Sequence, residues 1–142
     1  MQLSKFTDYG LRVLMHLAAC HPLRVSVTQI AASFDISEHH VAKVASALVK
    51  GGFVISGRGR TGGLVLATPA DHINIGAVVR HLTGDVPVAE CFAKDGADCA
   101  AFAQCGLRGP LQRAQQAFYE VLDNYTLKQV VKDQKLMAAL LA

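Results

Sequence analysis

Between Ser26 and Leu66 the chain spells two capped helices, a short turn between them and a glycine-tipped hairpin after them. No other feature restricts the fold as much. Ser26-Val27-Thr28-Gln29 is a capping-box pattern, in which Ser26 caps and Gln29 reaches back. The short helix it opens turns Ile30, Ala31 and Phe34 inward. Asp35-Ile36 makes a tight turn, and Ser37 caps the next helix. That helix carries Val41, Val44, Ala45, Leu48 and Val49 on one face and His40, Lys43, Ala47 and Lys50 on the other. Gly51-Gly52 stops it. Two such helices, the second apolar on one side and basic on the other, form a helix-turn-helix pattern. Phe53-Val54-Ile55-Ser56, a glycine-rich tip and Leu64-Val65-Leu66 then read as a β-hairpin with Arg58 and Arg60 at its tip, a basic wing.

A recognition helix and wing of this kind imply double-stranded DNA as partner. Lys43 and its helix neighbours are expected in the major groove, with Thr28, Ser37, Glu38, His39 and His40 as further candidate contacts. Arg58 and Arg60 are expected to reach the phosphate backbone or the minor groove. Charge agrees with this division. Residues 1–66 hold seven Lys/Arg and three Asp/Glu, whereas residues 67–142 hold seven and eight. The bland alternatives are a solvated basic surface and a winged helix used only for protein contacts.

The remaining periodicity predicts a mainly α fold. Leu11, Leu14, Met15 and Ala18 place a first helix from about Phe6 to Cys20, ended by His21-Pro22. Ile75 to about Thr83 is a fourth helix, with Val78, Val79 and Leu82 apolar. No periodicity holds from Gly84 to Gly109, and an irregular stretch that long is usually functional or disordered. After Pro110, the residues Leu111, Ala114, Phe118, Val121 and Tyr125 recur at spacings 3, 4, 3 and 4, a narrow seam suited to a homodimer. A short helix near Thr126 and a helical or frayed Leu136–Leu141 tail complete the chain. The expected organisation is a winged-helix unit at 1–83, a loop at 84–109, and a long dimerisation helix with its tail at 110–142.

No stretch reaches the roughly 18 apolar residues of a membrane span. Leu17-Ala18-Ala19-Cys20 superficially resembles a lipoprotein cleavage site, but Asp8, Arg12 and His16 interrupt the region that should be apolar. A helical reading and a cytoplasmic chain are therefore expected. In that compartment a thiol cluster is a metal or redox centre more often than a disulfide framework.

Cys91, Cys99 and Cys105 supply such a cluster within the irregular segment, and the fourth cysteine, Cys20, reads as a small buried hydrophobe. The spacing is C-x7-C-x5-C. It matches neither a zinc ribbon nor a bacterial ferredoxin run. Wide spacing in a loop suits wrapping a large object such as an iron–sulfur cluster. Zinc and a thiol redox switch stay open. So does a redox or electron-transfer protein whose winged helix does not bind DNA. Among the histidines, His16 and His81 fall within helices and read as packed or surface residues, and His72 as a turn residue.

Four segments carry a resemblance. Phe6-Thr7-Asp8-Tyr9-Gly10-Leu11-Arg12, Ser37-Glu38-His39-His40-Val41-Ala42-Lys43-Val44, Gly59-Arg60-Thr61-Gly62-Gly63-Leu64 and Leu122-Asp123-Asn124-Tyr125-Thr126-Leu127 resemble the winged-helix iron–sulfur regulators, and within them the nitric-oxide-sensing repressors. The resemblance covers nearly the whole chain. It implies a winged helix with a long dimerisation helix, no enzymatic activity, and repression relieved when nitric oxide attacks the cluster. It also implies a 4Fe–4S cluster, with 2Fe–2S possible, held by Cys91, Cys99, Cys105 and the aspartate matching Asp8, donated across the dimer. The family's other pattern, a histidine shortly after the third cysteine, is not met, because Arg108 stands three residues beyond Cys105. The seven-residue gap from Cys91 to Cys99 is longer than is typical of the family. Without the resemblance, Asp8 reads as a helix-dipole partner in a first turn, worth about 0.3–1 kcal/mol. The same family offers iron, cluster status or redox stress as alternative signals.

Overall fold

The computed structural model of the chain describes residues 3–57, 59, 62–93 and 99–142. Helix α1 (Lys5–Cys20) is the central element, because it packs against α2, α3, α4 and both C-terminal helices. Ser4 caps it, accepting the Thr7 N–H at 3.1 Å. Val13, Leu14 and Leu17 on its inner face are fully buried. Thr7 is equally buried, and its hydroxyl lies 2.9 Å from that of Ser4 and 3.5 Å from that of Thr83.

The predicted helix-turn-helix is present. Both arms of the first capping box form: Gln29 N–H donates to Ser26 Oγ at 3.1 Å, and Ser26 N–H donates to Gln29 Oε1 at 2.9 Å. Helix α2 (Val27–Phe34) ends at Asp35, whose left-handed φ of 51° turns the chain sharply. Helix α3 (Glu38–Lys50) follows, capped by Ser37. Strands β1 (Val54–Gly57) and β2 (Gly63–Leu66) form the hairpin, in antiparallel register Val54↔Leu66 to Gly57↔Gly63. Val25 adds a rung to β2 through Val25 N–H to Leu64 O at 3.0 Å and Leu64 N–H to Val25 O at 2.8 Å. The tip-side half of the hairpin, at Leu64, is therefore stitched to the segment between α1 and α2.

Helix α4 (Ile75–Thr83) buries Ile75, Val78, Val79 and Leu82 in the core. The irregular segment after it contains single 3₁₀ turns at Glu90–Phe92 and Phe102–Gln104. Helix α5 (Arg108–Asp123) starts two residues before Pro110, and none of its residues is fully buried. The chain then returns to the core. Thr126 and Gln129 form a second capping box on α6 (Leu127–Val130). Leu127 is fully buried, and its N–H donates to Ile73 O at 2.8 Å. Helix α7 (Gln134–Leu141) packs on α1, and Ser33 Oγ donates to Leu141 O at 2.6 Å. The tail is thus helical and docked, because Leu127 and Val131 are core residues at its base.

Two positions on α3 differ from the sequence reading. Val49 is 37% exposed and does not belong to the buried face. Ala47 is half-buried, with its carbonyl 2.8 Å from His81 Nε2. The apolar stripe is one residue narrower than the sequence suggests, because the helix rolls Val41, Val44, Ala45 and Leu48 inward.

His16 is 3% exposed, its Nδ1 has no hydrogen-bond partner, and burial holds its pKa below the ordinary value. An imidazole kept neutral in the fold and free to protonate when unfolded makes the unfolded chain bind more protons below about pH 6.5. Stability from this group is therefore complete above that pH and is lost as pH falls toward the lowered folded pKa. Urea unfolding between pH 7.5 and 5.5 should show this as a slope of up to about one proton. His16→Met should flatten it, and an equal slope in that variant would clear His16 of the effect.

Candidate nucleic-acid interface and cysteine loop

Helix α3 presents an exposed stripe of His39, Ala42, Lys43, Ser46 and Lys50. Its spacing follows the 3.6-residue period, so the four candidate contacts Glu38, His39, His40 and Lys43 all face outward at or near the helix start. Ala42 and Ser46 are additions that the sequence reading missed. Small exposed residues between basic ones let a helix approach a groove closely. There an alanine methyl can meet a thymine methyl, and a serine hydroxyl can bond a base edge or a phosphate. The signal was available in the helical period, but small uncharged side chains attract no notice.

Ser37 and His40 are already engaged with each other. Ser37 Oγ accepts the His40 N–H at 3.3 Å and lies 2.8 Å from His40 Nδ1. The His40 ring also stands near Tyr9 of α1, at 6.1 Å between centroids. These contacts orient the start of α3 and leave Lys43 as the cation on its outward face nearest that start. Thr28 is exposed in the first turn of α2. Arg58 and Arg60 lie outside the described residues; the strands that carry them are those anchored by Val25.

At the far end of α3, His81 of α4 ties the two helices through the Ala47 carbonyl and packs edge-on to Phe53 at 5.6 Å. Sequence reasoning treated His81 as unremarkable, because its partner is a backbone carbonyl 34 residues away.

The three loop cysteines are free thiols. Cys91 is half-buried in the first 3₁₀ turn, whereas Cys99 and Cys105 are exposed. Cys99 O accepts the Phe102 N–H at 2.9 Å, which starts the second turn. Arg108 sits over both Phe92 and Phe102, at 5.5 and 4.7 Å from the ring centroids. It thereby draws together the turn that holds Cys91 and the turn that precedes Cys105. Each such contact is worth about 0.5–1 kcal/mol at an exposed site.

In donor chemistry the loop fits an iron–sulfur cluster or another soft metal centre, since accessible, unpaired thiols are what such a group requires. Among the described residues, no group of three or more His, Cys, Asp or Glu side chains is gathered as a metal site. Asp8 is not brought to the cysteines within the chain. Its carboxylate pairs with Arg12 at 2.9 Å on the surface of α1, with both side chains about two-fifths exposed.

Helix α5 is held to α4 by a cluster of polar ties. Arg80 makes a two-pronged pair with Asp123, at 2.6 Å on each arm, and lies over the Tyr119 ring at 4.7 Å. The hydrogen bond from Arg80 holds the Asp123 carboxyl below its usual range. Asn74 Nδ2 donates to Asp123 O at 2.7 Å. Gly76 allows this approach, because a Cβ there would run into the Asp123 side chain. Of the predicted seam, Ala114 is exposed and Val121 and Tyr125 are 58% and 47% exposed, whereas Leu111 is half-buried and Phe118 packs against the core, so only part of the seam is an uncovered face of this chain.

A helix-turn-helix with a stitched hairpin, an outlying long helix and a thiol-bearing loop is the build of a winged-helix transcriptional regulator. Residues 3–133 match the family Rrf2, described as iron-dependent transcriptional regulator. The chain is 42% identical over 142 residues to the HTH-type transcriptional regulator NsrR of Geobacillus kaustophilus, covering 99% of this chain and 97% of that protein. The protein of the same name from Bacillus subtilis shows the same identity and coverage. Among solved structures, CymR, the global cysteine regulator of B. subtilis, superposes with a TM-score of 0.72 at 32% identity, covering 93% of this chain and 97% of that one. IscR of T. potens gives a TM-score of 0.72 at 27% identity, covering 94% and 88%. The chain belongs to the Rrf2 family, and it is a transcriptional regulator, not an enzyme. No helix among the described residues is long and apolar enough to cross a membrane.

The close seat of Gly76 against Asp123 yields a direct test. Gly76→Ala should force α4 and α5 apart and cost about 1–3 kcal/mol, the usual range for overpacking. Urea denaturation checks it, and an unchanged midpoint would mean that α5 docks by other contacts.

Proposed function

We propose that the chain is a repressor that binds operator DNA as a homodimer and releases it when nitric oxide acts at an iron–sulfur cluster held by Cys91, Cys99 and Cys105. The observation that carries the reading is the position of α4. Its last turn touches α1 through Thr83 and Thr7, touches the recognition helix through His81 and Ala47, and leads directly into the cysteine loop. One rigid helix therefore borders both the reader and the sensor. The likeness to proteins named NsrR supports nitric oxide as the signal. A cytoplasmic location suits unpaired thiols.

The cysteines would hold the cluster, with Asp8 of the partner subunit as fourth ligand. When bound, the cluster would supply iron able to take nitric oxide, which no side chain of this loop does. The protein's part is to present thiolates and keep the loop closed, which Arg108 does by gathering Phe92 and Phe102. Asp8 is free for recruitment because its pair with Arg12 is exposed, and such pairs are worth about 0–1 kcal/mol. A 4Fe–4S cluster is the preferred form, and 2Fe–2S fits the same donors. The uncovered face of α5 is the proposed dimer surface, which would set the spacing of two half-sites. Three free thiols also favour a second reading, in which thiol oxidation in the same loop is the signal.

Protein prepared without oxygen should be coloured. Cys91→Ala, Cys99→Ala and Cys105→Ala should each abolish the colour, while Cys20→Ala keeps it. Asp8→Ala should leave a labile cluster and weak operator binding. Visible and resonance Raman spectra before and after nitric oxide are the measurement. A colourless protein with stoichiometric zinc would end the cluster reading, and wild-type spectra in Asp8→Ala would remove Asp8 from the site.

DNA binding divides into two kinds of contact. Lys43→Ala should cost about 1–3 kcal/mol at the operator and relax specificity. Arg60→Ala should weaken all sequences alike and lower the salt slope by about 0.9. Gel retardation across salt concentrations separates them, and no change in either variant would relocate the interface.

A further inference from the structure

A cavity of about 430 Å³ lies behind the helix-turn-helix, walled by α1, α2, α7 and the segment that joins α1 to α2. That size is within the range of sites that take small molecules, roughly 300–1,000 Å³. None of the loop cysteines lines it, so it is separate from the proposed cluster.

Its chemistry is mixed in an ordered way. Leu23, Ala32 and Leu141 provide apolar wall, while Gln29 and Ser33 bring polar groups from α2. His16 and Cys20 line it from α1, and burial keeps the imidazole neutral and pushes the thiol pKa up. Arg24 has the only permanently charged side chain among the described residues that line it, and the main-chain end at Ala142 lies on the same lining. A guanidinium beside apolar wall suits a carboxylate with a short hydrocarbon tail.

The walls are also parts of the DNA reader. Arg24 Nη1 donates to the Gly63 carbonyl at 3.2 Å, at the tip end of the hairpin ladder. Its guanidinium also lies against Gly57, the residue paired with Gly63 at the end of the hairpin ladder. Val25, the next residue, makes the two-way pair with Leu64. Gln29 belongs to the capping box that starts α2. A ligand that draws Arg24 into the cavity must therefore compete with the Gly63 contact, and that competition is the differential interaction a switch needs.

We propose that this cavity is an effector site for a small monocarboxylate, which sets its carboxylate on Arg24 and its tail against Leu23, Ala32 and Leu141, and changes operator affinity by loosening the Arg24 contact at the tip end of the wing's ladder. At ordinary ligand efficiencies, a molecule of about six to eight heavy atoms reaches roughly millimolar affinity.

The test uses ¹⁵N-labelled protein titrated with butyrate and hexanoate, and with 1-butanol and 1-hexanol as neutral counterparts. The acids should give saturable shifts at the amides of Val25, Ser33 and Gly63, and the alcohols should not. Arg24→Gln should weaken acid binding about tenfold or more, the loss expected for a charge-assisted hydrogen bond. Ala32→Leu, which fills the cavity from a surface helix, should abolish it, with Ala138→Leu as the second filling variant if the first does not fold. Saturating hexanoate should lower operator affinity in gel retardation for the wild type and not for the filled variant. Absence of saturable shifts up to about 20 mM, equal binding of the alcohols, or unaltered binding in a folded filled variant would each overturn the site. Binding with unchanged operator affinity would overturn the effector role.

Discussion

A forked ion pair ties the end of α5 to α4. The helix fully buries none of its residues, and it meets the core through the partly buried Phe118, Tyr119 and Leu122. Arg80 adds direction to that apolar contact by gripping both oxygens of Asp123 while its guanidinium lies on Tyr119. Asn74 adds a hydrogen bond to the backbone at the same place, and Gly76 leaves the space for it. An exposed pair of this sort contributes little to stability when isolated. Its value here is geometric, because planar, two-pronged pairing fixes orientation in a way that a single lysine contact would not. Whatever docks on the uncovered face of α5 meets it at an angle set by α4.

That places α4 between the two halves of the molecule. Its apolar side is part of the core shared with α1, and its polar side holds α5. The segment resembling the family at the N-terminus gains a physical meaning from this packing. Thr7 is buried and meets Thr83 of α4, and Gly10 lies so close to Leu82 that a side chain there would collide with it. Asp8, between them, is turned outward. The motif thus combines two packing residues with one surface carboxylate, and only the last is available for chemistry.

Arg108 illustrates how a departure from a pattern becomes a structural device. At the corresponding place the resemblance offered a histidine ligand, and the sequence showed only that arginine cannot fill that role. In the structure Arg108 bridges two phenylalanines and holds the turns on either side of the long Cys91–Cys99 gap. A loop with a longer gap has more freedom to lose on closing, and a contact across its base offsets part of that cost.

The sequence by itself determined the mainly α winged helix, the caps at Ser26 and Ser37, the hairpin, and the helix spans to within a few residues. These features rest on local causes: hydrophobic period, side chains bonding neighbouring backbone, and glycine at helix ends. It also placed the thiols in one loop and Lys43 on the open face of α3. What it could not supply depends on contacts between distant residues. The strap from His81 to Ala47, the fork from Arg80 to Asp123 and the rung from Val25 to Leu64 all cross more than thirty residues. The return of Leu127 and Val131 to the core was equally hidden, because a four-residue helix has too few turns to show a period. The cavity behind α2 exists only because α7 folds back across α1. Its walls come from one stretch, residues 16–33, and from the distant residues 138–142, and only tertiary packing brings their side chains to one place.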